Sequence, residues 1–199
     1  MKELTEMTLT ELWQLFPIIL KEYDPAYPRW YAEEKCRLEQ IFSSECLCRI
    51  SHIGSTSVPG LLAKPTIDIL AELSSISDIS RWKAQLTEQG WICMSQEKTP
   101  EYKLVFNKGY TKTGFAKKVF HLHVRMYGDW DELYFRDYLR EYTKKAEEYA
   151  ALKRKLKEKY EYNRNAYTEG KTEFIKRSTK EARKLYGDRY GKGGNICRY

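Results

Sequence analysis

The sequence lacks several features that would assign it to a specialised class of protein. No apolar run in its 199 residues reaches the roughly 20 residues that cross a membrane. The N-terminal stretch MKELTEMTLTELWQLF carries acidic residues throughout and no basic segment followed by an apolar one, so we expect no signal peptide. There is also no internal repeat and no low-complexity tract. These absences predict a cytosolic globular protein with no membrane partner.

Cysteine and histidine are scarce. The five cysteines form no even disulfide framework, and the chain is large enough to fold without one. Cys46 and Cys48 lie two residues apart, but no second pair completes a zinc site. We therefore expect reduced thiols. The three histidines, His52, His121 and His123, all lie in or beside polar islands within predicted strands.

The net charge of +7 is confined to one part of the chain. From Asp131 to the C-terminus there are 19 Lys and Arg against 12 Asp and Glu, which leaves 16 residues of each sign in the first 130. A basic C-terminal third indicates an anionic partner, although a solvated helical face would have the same composition. The sequence alone leaves both interpretations open.

Hydrophobic periodicity predicts an α/β fold, with a mixed sheet flanked by helices and long helices at the C-terminal end. We expect one domain over 1–199, with N-terminal helices to about residue 45, an α/β core over 46–128, C-terminal helices over 130–186 and a flexible tail over 187–199. The predicted helices are roughly 8–22, 29–45, roughly 58–63, 77–90, 131–161 and about 165–186. The predicted strands are 46–54, 64–73, 91–95, 101–109 and 116–128.

The stretch HIGSTSVPGLLAKPTIDIL, residues 52–70, places a polar turn between two apolar runs. Gly54 can adopt positive φ without steric cost, and the serines and threonine at 55–57 are good helix N-caps. Since Pro59 is tolerated in a first helical turn, the pattern predicts a strand, a turn and a short helix. A turn at a helix N-terminus is a common phosphate-binding arrangement, although most helix caps bind nothing.

Asp68 is the unusual residue of the following strand, because its neighbours Ile67 and Ile69 are apolar. A buried carboxylate must be ion-paired, for example with Lys64, or must bind a ligand such as a hard metal ion. Perturbed carboxylates cluster at functional sites, so we favour the second interpretation. Glu72 lies on the same strand face, nearer the strand end, and is a weaker candidate.

His121 and His123 are two residues apart, so on a strand they point to the same face. Imidazole can bind a metal, transfer a proton or donate to phosphate. A pair of hydrogen-bonded histidines that only supports the sheet is the structural alternative.

Several motifs together resemble the GrpB-like family, which is placed in the nucleotidyltransferase-fold superfamily. They are HIGSTSVPGLLAKPTIDIL, FHLHV, FRDYLR, YAALKRKL and Y-x-x-x-K-x-x-F-I, in that order, and the resemblance runs from about Tyr23 to Leu185. It implies a nucleotidyltransferase-like fold in which Gly54 and Ser55 hold nucleotide phosphates. Asp68 matches one acid of the superfamily's catalytic pair.

This sequence departs from the superfamily pattern at the other acids. Thr66 and Leu70 stand two residues before and after Asp68, where the second acid is expected, and the later strand offers His121 and His123 instead of a third. Two-metal catalysis needs several hard oxygen ligands. We therefore expect at most one divalent metal (Mg, Mn or Zn), with Asp68, His121 and His123 as candidate ligands.

The C-terminal helices supply further candidates. Arg136 and Arg140 lie four residues apart on one helical face, while Lys153 and Lys171 interrupt apolar stripes and either reach the surface or point to a shared anion. The candidate catalytic residues are Asp68 and His123. The candidate substrate-binding residues are Gly54, Ser55, Thr56, Ser57, Lys64, Arg136, Lys153 and Lys171.

Three functions follow from these features. The first is a nucleotidyltransferase-like enzyme that binds a nucleotide or phosphorylated metabolite and transfers a nucleotidyl or phosphoryl group. The second is a binding module with the same ligands and no turnover, which the missing acid favours. Nucleic-acid binding ranks last, because most aromatic residues lie on helical core stripes. The substrate and the oligomeric state are not predicted.

Overall fold

A computed structural model describes residues 2–42, 44, 46–99 and 101–191. The N-terminal part contains a 3-10 helix (Leu4–Glu6), helix α1 (Leu9–Leu15) and helix α2 (Tyr27–Ile41). Helix α1 ends well before residue 22, where the periodicity had placed its end. Pro17 explains the early stop, because the residue before a proline is pushed out of the helical region, and Phe16 has φ −124° and ψ 64°.

The described residues form a five-stranded mixed sheet in the order β1-β2-β5-β4-β3. Its strands are β1 (Leu47–Ile53), β2 (Thr66–Leu73), β3 (Ile92–Glu97), β4 (Lys103–Thr111) and β5 (Gly114–Met126). Strands β2 and β5 pair in parallel, and the other neighbours are antiparallel. The predicted α/β class and mixed sheet are confirmed.

The remaining helices are α3 (Ile79–Glu88), α4 (Asp131–Glu141), α5 (Thr143–Tyr160), α6 (Arg164–Glu169) and α7 (Thr172–Tyr186). The two long C-terminal helices that the periodicity predicts are each divided in two. Tyr142 has φ −108° and ψ 85°, which separates α4 from α5 and lets the chain change direction. The second break lies at Gly170 and Lys171.

The two faces of the sheet are packed differently. Alternate residues of β2, among them Ile67, Ile69 and Ala71, join the main core with residues of α2 and α3. The opposite face carries Asp68 and, on β5, His121 and His123. The C-terminal helices lie over this second face, so the polar side chains of β2 and β5 point toward them rather than into the main core.

Further sequence predictions concern cysteines, membrane spans and the tail. Cys36, Cys46 and Cys93 are free thiols, while Cys197 lies outside the described residues. None of the helices in the described part of the chain is long and apolar enough to cross a membrane. Most of the predicted tail, residues 192–199, also lies outside the described residues.

Candidate functional site

A cleft of about 950 Å³ lies between the polar face of the sheet and the C-terminal helices. Of the residues singled out in the sequence, Gly54, Ser55, Lys64, Asp68, His121, His123, Lys153 and Lys171 line it. Other lining residues used below are Lys103, Arg125, Asp129, Trp130, Asp131, Glu132, Phe135, Arg164, Tyr167, Ile175, Thr179 and Arg183. The cleft therefore combines residues from both halves of the chain.

Gly54 brings the backbone unusually close to Asp68. It follows β1 directly, and its neighbour Ile53 is paired in register with Asp68 on β2. Gly54 has φ +68° and ψ −174°, and a Cβ atom added to it would lie 2.9 Å from Cγ of Asp68. Position 54 therefore requires glycine for two reasons: its positive φ is unfavourable for other residues, and Asp68 leaves no room for a Cβ atom.

The helix predicted over residues 58–63 is absent, and this prediction was wrong. The described chain instead forms a single 3-10 turn over Ser55–Ser57. Gly60, with φ +75°, lies in the left-handed region and does not continue a right-handed helix. The turn therefore offers no α-helix N-terminus for phosphate, and the polar group that it presents to the cleft is Ser55.

Thr56 and Ser57 do not line the cleft. Both are buried, and their hydroxyls hold the loop together: Thr56 Oγ1 donates to the carbonyl of Thr66 at 2.9 Å, and Ser57 Oγ donates to that of Gly54 at 2.6 Å. His52 is also directed away from the cleft, stacked on Tyr31 and 3.1 Å from Thr56 Oγ1. Burial lowers the pKa of His52 to about 4, so this histidine is neutral at pH 7.

Arg136 is likewise outside the cleft lining. Its guanidinium donates to the carbonyl of His52 at 3.2 Å and to Tyr190 OH at 3.0 Å, and it pairs with Asp137 at 2.8 Å. Arg140, four residues on, donates to the carbonyl of Ser57. The two arginines therefore attach α4 to β1 and to the loop after it, and their donors are used within the protein.

Asp68 is held by His121 on the neighbouring strand. The parallel register places these residues side by side, and His121 Nδ1 lies 3.1 Å from Asp68 Oδ1. Burial raises the pKa of the carboxyl, but the hydrogen bond donated by His121 and the nearby ammonium group of Lys64 contribute to outweighing it. The pKa of Asp68 is therefore lowered, so the carboxylate is ionised at pH 7, with 27% of the side chain exposed.

His121 and His123 have different surroundings. Burial lowers the pKa of both, so both are neutral at pH 7. His121 Nδ1 donates to Asp68, which leaves Nε2 to accept from Tyr110 OH at 2.8 Å. Nδ1 of His123 is buried and has no hydrogen-bond partner in the part of the chain that the structure describes. His123 can therefore still bind a ligand.

Lys153 on α5 reaches the turn formed by Ser55–Ser57. The residue is 2% exposed, and its Nζ donates to Ser55 Oγ at 3.1 Å and to the carbonyl of Leu62. It also lies 4.6 Å from the ring centroid of Tyr149. Burial first, and then the charges of Lys171 and Arg154, lower the pKa of Lys153 to about 7.

Lys64 and Lys171 approach the same end of the cleft around the ring of Tyr167. Their Nζ atoms lie 6.0 Å and 4.7 Å from its centroid. Burial and the neighbouring charges of Arg164 and Lys171 lower the pKa of Lys64 to about 7. Burial also lowers the pKa of Lys171. Like charges thus crowd one another in a partly dehydrated space.

Arg164 is a site residue that the sequence analysis missed. Its guanidinium donates to Tyr110 OH at 3.0 Å and approaches His121 Nε2 at 3.4 Å. Its position follows from the start of α6, where Asn163 caps the helix through Ala166 N. Asn163 is a readable cap signal, but nothing local in the sequence indicates that the next residue meets β5. We call Lys64, Lys153, Arg164 and Lys171 the cationic cluster.

The candidate metal ligands do not form a complete site. In the described ranges, no group of three or more His, Cys, Asp or Glu side chains is arranged to hold a metal ion. Asp68 already accepts a hydrogen bond from His121. Glu72, the weaker candidate, is fully buried and pairs with Arg49 at 2.5 Å. The donor set of the protein alone does not fit the two-metal arrangement that the resemblance to nucleotidyltransferases implies.

Comparison with known proteins finds bacterial relatives that match most of this chain. A family model described as "GrpB protein" matches residues 17–181. UPF0157 protein YqkA of Bacillus subtilis is 33% identical over 199 residues, which cover 96% of this chain and 55% of YqkA. Glutamate-rich protein GrpB of Alkalihalophilus pseudofirmus is 35% identical over 162 residues, which cover 79% of this chain and 91% of that protein. This chain thus spans about half the length of YqkA.

Solved structures were compared as well. The crystal structure of conserved protein GrpB from Enterococcus faecalis has 32% identity and a TM-score of 0.74, over 84% of this chain and 99% of that one. The Cid1 poly(U) polymerase with Mg 3'-dATP bound is a more distant match, with 10% identity and a TM-score of 0.46 over 75% of this chain and 49% of that one. The fold comparison therefore rests on the Enterococcus faecalis structure.

Proposed function

This chain belongs to the GrpB family, and we propose that its cleft binds the phosphates of a nucleotide or a phosphorylated metabolite. The observation that carries the proposal is the cationic cluster. One of its four basic side chains, Lys64, precedes β2, and the other three come from the C-terminal helical segment. The cluster lies around a single carboxylate, Asp68. Clefts lined by one sign of charge concentrate ligands of the opposite sign.

The protonation chemistry of the cluster supports an anionic ligand. Lys64 and Lys153 have pKa values lowered to about 7 by burial and by neighbouring positive charges. An anion bound between them would favour their charged forms and offset the mutual repulsion. Ser55, whose hydroxyl accepts from Lys153 at 3.1 Å, adds a neutral contact for a phosphate oxygen. A phosphate group supplies the several acceptor oxygens that such a cluster needs.

Transfer of a nucleotidyl group is the finer part of this proposal. In that reaction an acceptor oxygen would attack the α-phosphorus, the bond to pyrophosphate would break, and the acceptor's proton would pass to a base. Asp68 is placed to take the proton, because its carboxylate is ionised at pH 7 and partly exposed in the cleft. His121 would hold the carboxylate in place, and His123 is a second candidate base.

A non-catalytic binding module is the second candidate function. It is favoured by Thr66 and Leu70, which stand where the superfamily has its second acid, and by the absence of a three-ligand metal group among the described residues. Nucleic-acid binding is disfavoured, because all four residues of the cationic cluster line the cleft instead of forming an exposed stripe. The cytosolic location stays a prediction.

A thermal-shift panel tests the binding proposal. The probes are the four ribonucleoside triphosphates, coenzyme A precursors and inorganic tripolyphosphate, each with and without magnesium, manganese and zinc. A ligand of the native state raises the melting temperature by mass action. We expect Lys171→Met to weaken binding at least tenfold and Lys180→Met, on the exposed side of α7, to leave it unchanged. No shift with any phosphate-bearing probe would contradict the proposal.

A turnover assay separates the enzyme from the binding module. The purified protein is incubated with labelled nucleoside triphosphates, manganese and cell extract, alongside Asp68→Ala and the control Asp78→Ala, whose side chain is 47% exposed. Pyrophosphate release or acceptor labelling that is lost in Asp68→Ala alone would support the transferase. Binding without turnover for every triphosphate would favour the binding module.

A further inference from the structure

The end of the cleft beyond the cationic cluster has a different chemistry, because its charges are paired. Arg183 pairs with Asp129 at 2.5 Å and with Asp131 at 2.6 Å, and Arg125 pairs with Glu132 at 2.9 Å. Lys103 also lines this end, so its three positive side chains are matched by three negative ones. This end of the cleft has no net attraction for a phosphate, in contrast to the cationic cluster.

Unpartnered polar atoms are concentrated at this end. Oγ1 of Thr179, Nε of Arg125 and Nδ1 of His123 are buried and have no hydrogen-bond partner among the described residues, and all three residues line the cleft. Thr179 is only 4% exposed. A buried polar atom without a hydrogen-bond partner is energetically unfavourable. Three such atoms in one cleft leave hydrogen-bonding capacity that a ligand bound there can use.

The three atoms form a mixed donor and acceptor set. Arg125 Nε can only donate, whereas the Thr179 hydroxyl and the neutral imidazole of His123 can donate or accept. Such a set suits a group with both kinds of polar atom and no net charge, which is the chemistry of a nucleobase or a sugar. A second phosphate would offer acceptors only, and the charges around it would already be neutralised.

Trp130 provides a flat surface at the same end. Its ring is held in place because Nε1 donates to the carbonyl of Met126 at 3.0 Å. The guanidinium of Arg125 lies 4.9 Å from the ring centroid. Phe135 and Ile175 add apolar surface to the lining. An aromatic ring beside a guanidinium is a favourable stacking surface for a planar ring.

The separation of the two ends matches a ligand that has both parts. His121, which contacts Asp68 beside the cationic cluster, and Arg125 lie four residues apart on β5 and on the same face. At about 3.3 Å per residue, they are separated by roughly 13 Å. A single ligand with phosphates at one end and a polar ring at the other can bridge this distance.

We propose that the region around Trp130, Arg125 and Thr179 is the subsite for the nucleoside part of a nucleotide whose phosphates bind at the cationic cluster. This inference rests on the proposed function and narrows its ligand from any phosphorylated metabolite to a nucleotide. Thr179 binds a polar edge of the base or the ribose, and Trp130 stacks on its plane.

Calorimetric titration with two classes of probe tests the subsite. Inorganic tripolyphosphate reports on the cationic cluster alone, and the four ribonucleoside triphosphates report on both ends. We expect at least one nucleoside triphosphate to bind tenfold or more tightly than tripolyphosphate. Thr179→Val keeps the shape of the side chain but removes the hydroxyl. It should therefore lower the affinity for that nucleotide three- to tenfold without changing the affinity for tripolyphosphate. Trp130→Leu should give the same selective loss.

Ser178→Ala is the matched control, because Ser178 is buried on the same helix but does not line the cleft. It should change neither affinity. If tripolyphosphate binds as tightly as every nucleoside triphosphate, or if Thr179→Val weakens both probes equally, the subsite is overturned while phosphate binding stands. If no probe binds at all, the proposed function fails, and the subsite fails with it.

Discussion

In the cleft, the backbone of Gly54 lies directly against the side chain of Asp68. The positive φ of Gly54 and the missing Cβ together allow the turn after β1 to lie directly against the carboxylate on β2. Ser55 then faces the cleft, where Lys153 donates to its hydroxyl. The position of the candidate phosphate contact therefore depends on one residue that has no side chain.

Gly54→Ala should destabilise the protein by about 2–4 kcal/mol and weaken triphosphate binding. The added methyl group both requires an unfavourable φ and clashes with Asp68. Gly60→Ala is the matched control: its φ is also positive, at +75°, but nothing lies within 4 Å of the added Cβ. It should cost only about 1 kcal/mol and leave binding unchanged. Urea unfolding measures both, and equal losses in the two variants would contradict the steric account.

The buried lysines predict a pH dependence of stability. Lys153 has a folded pKa of about 7, below the ordinary lysine value of 10.5, so between these pH values the unfolded chain binds a proton that the folded chain does not. Stability from this group is therefore lowest below pH 7 and rises as the pH increases toward 10.5, by at most about 1.4 kcal/mol per pH unit.

Lys153→Met should flatten this rise, which urea unfolding at pH 7 and pH 9 would measure. Lys155→Met, an exposed change on the same helix, should leave the rise as it is in the original chain. Lys64 contributes in the same direction, so the slope should fall without vanishing. An unchanged slope in Lys153→Met would show that this ammonium is fully charged at neutral pH in the folded state.

Single residues were predictable from the sequence only where their local context was unusual. Asp68 stands out because a carboxylate between Ile67 and Ile69 violates the apolar pattern of its strand. Arg164 and Thr179 gave no such signal, because a polar residue on an amphipathic helix is ordinary until its partners are known. Their place in the cleft depends on how α6 and α7 pack against the sheet.

Among the elements, the edge strand β1 is held against β2 by an ion pair as well as by backbone hydrogen bonds. Arg49 on β1 pairs with Glu72 on β2 and donates to the carbonyl of Gly128, which follows β5. Glu72 is fully buried, and burial raises its pKa despite the hydrogen bond from Arg49. This one side chain thus joins three segments that support the cleft.

Arg49→Met should destabilise the protein by about 3 kcal/mol at pH 7, because it leaves the buried carboxylate of Glu72 without its cation. The loss should shrink as the pH falls toward 4.5, since the buried carboxyl of Glu72, whose pKa is raised, is then protonated in the folded variant and no longer leaves an unpaired charge. Lys35→Met removes an exposed helical ion pair with Glu39 and should cost less than about 0.5 kcal/mol. Unfolding of the three proteins at pH 7 and pH 5 checks this, and a pH-independent loss would argue against an unpaired Glu72.

The type of each main helix and strand was predicted better than its boundaries. The strands and the amphipathic α3 followed from periodicity and from Gly90, but the break at Tyr142 did not. Tyr138, Tyr142 and Tyr149 continue a helical spacing, and no glycine or proline marks the change of direction. Packing of α4 against α7 overrides the local pattern there. The predicted helix over 58–63 was wrong because the preference of Gly60 for positive φ outweighed the capping signals around Ser55.

In the whole molecule, the uneven distribution of charge along the sequence corresponds to the two sides of the cleft. The neutral first 130 residues contribute Ser55, Lys64 and Asp68 to the cleft, and the basic C-terminal third contributes Lys153, Arg164 and Lys171. Composition predicted an anionic partner but could not distinguish a surface stripe from an internal cluster. That distinction requires the tertiary fold, because it depends on which helix faces point toward the sheet.

The most direct test of the central claim, phosphate binding by the cationic cluster, is the number of protons taken up when a nucleotide binds. Phosphate groups with a second pKa near 6 are already deprotonated at pH 8, whereas Lys64 and Lys153, with pKa values of about 7, are mostly neutral. Calorimetric titration at pH 8 with the tightest nucleoside triphosphate, in two buffers of different ionisation enthalpy, measures this uptake. The account predicts an uptake of about one to two protons, reduced by about one in Lys153→Met. Binding without proton uptake, or no binding, would contradict it.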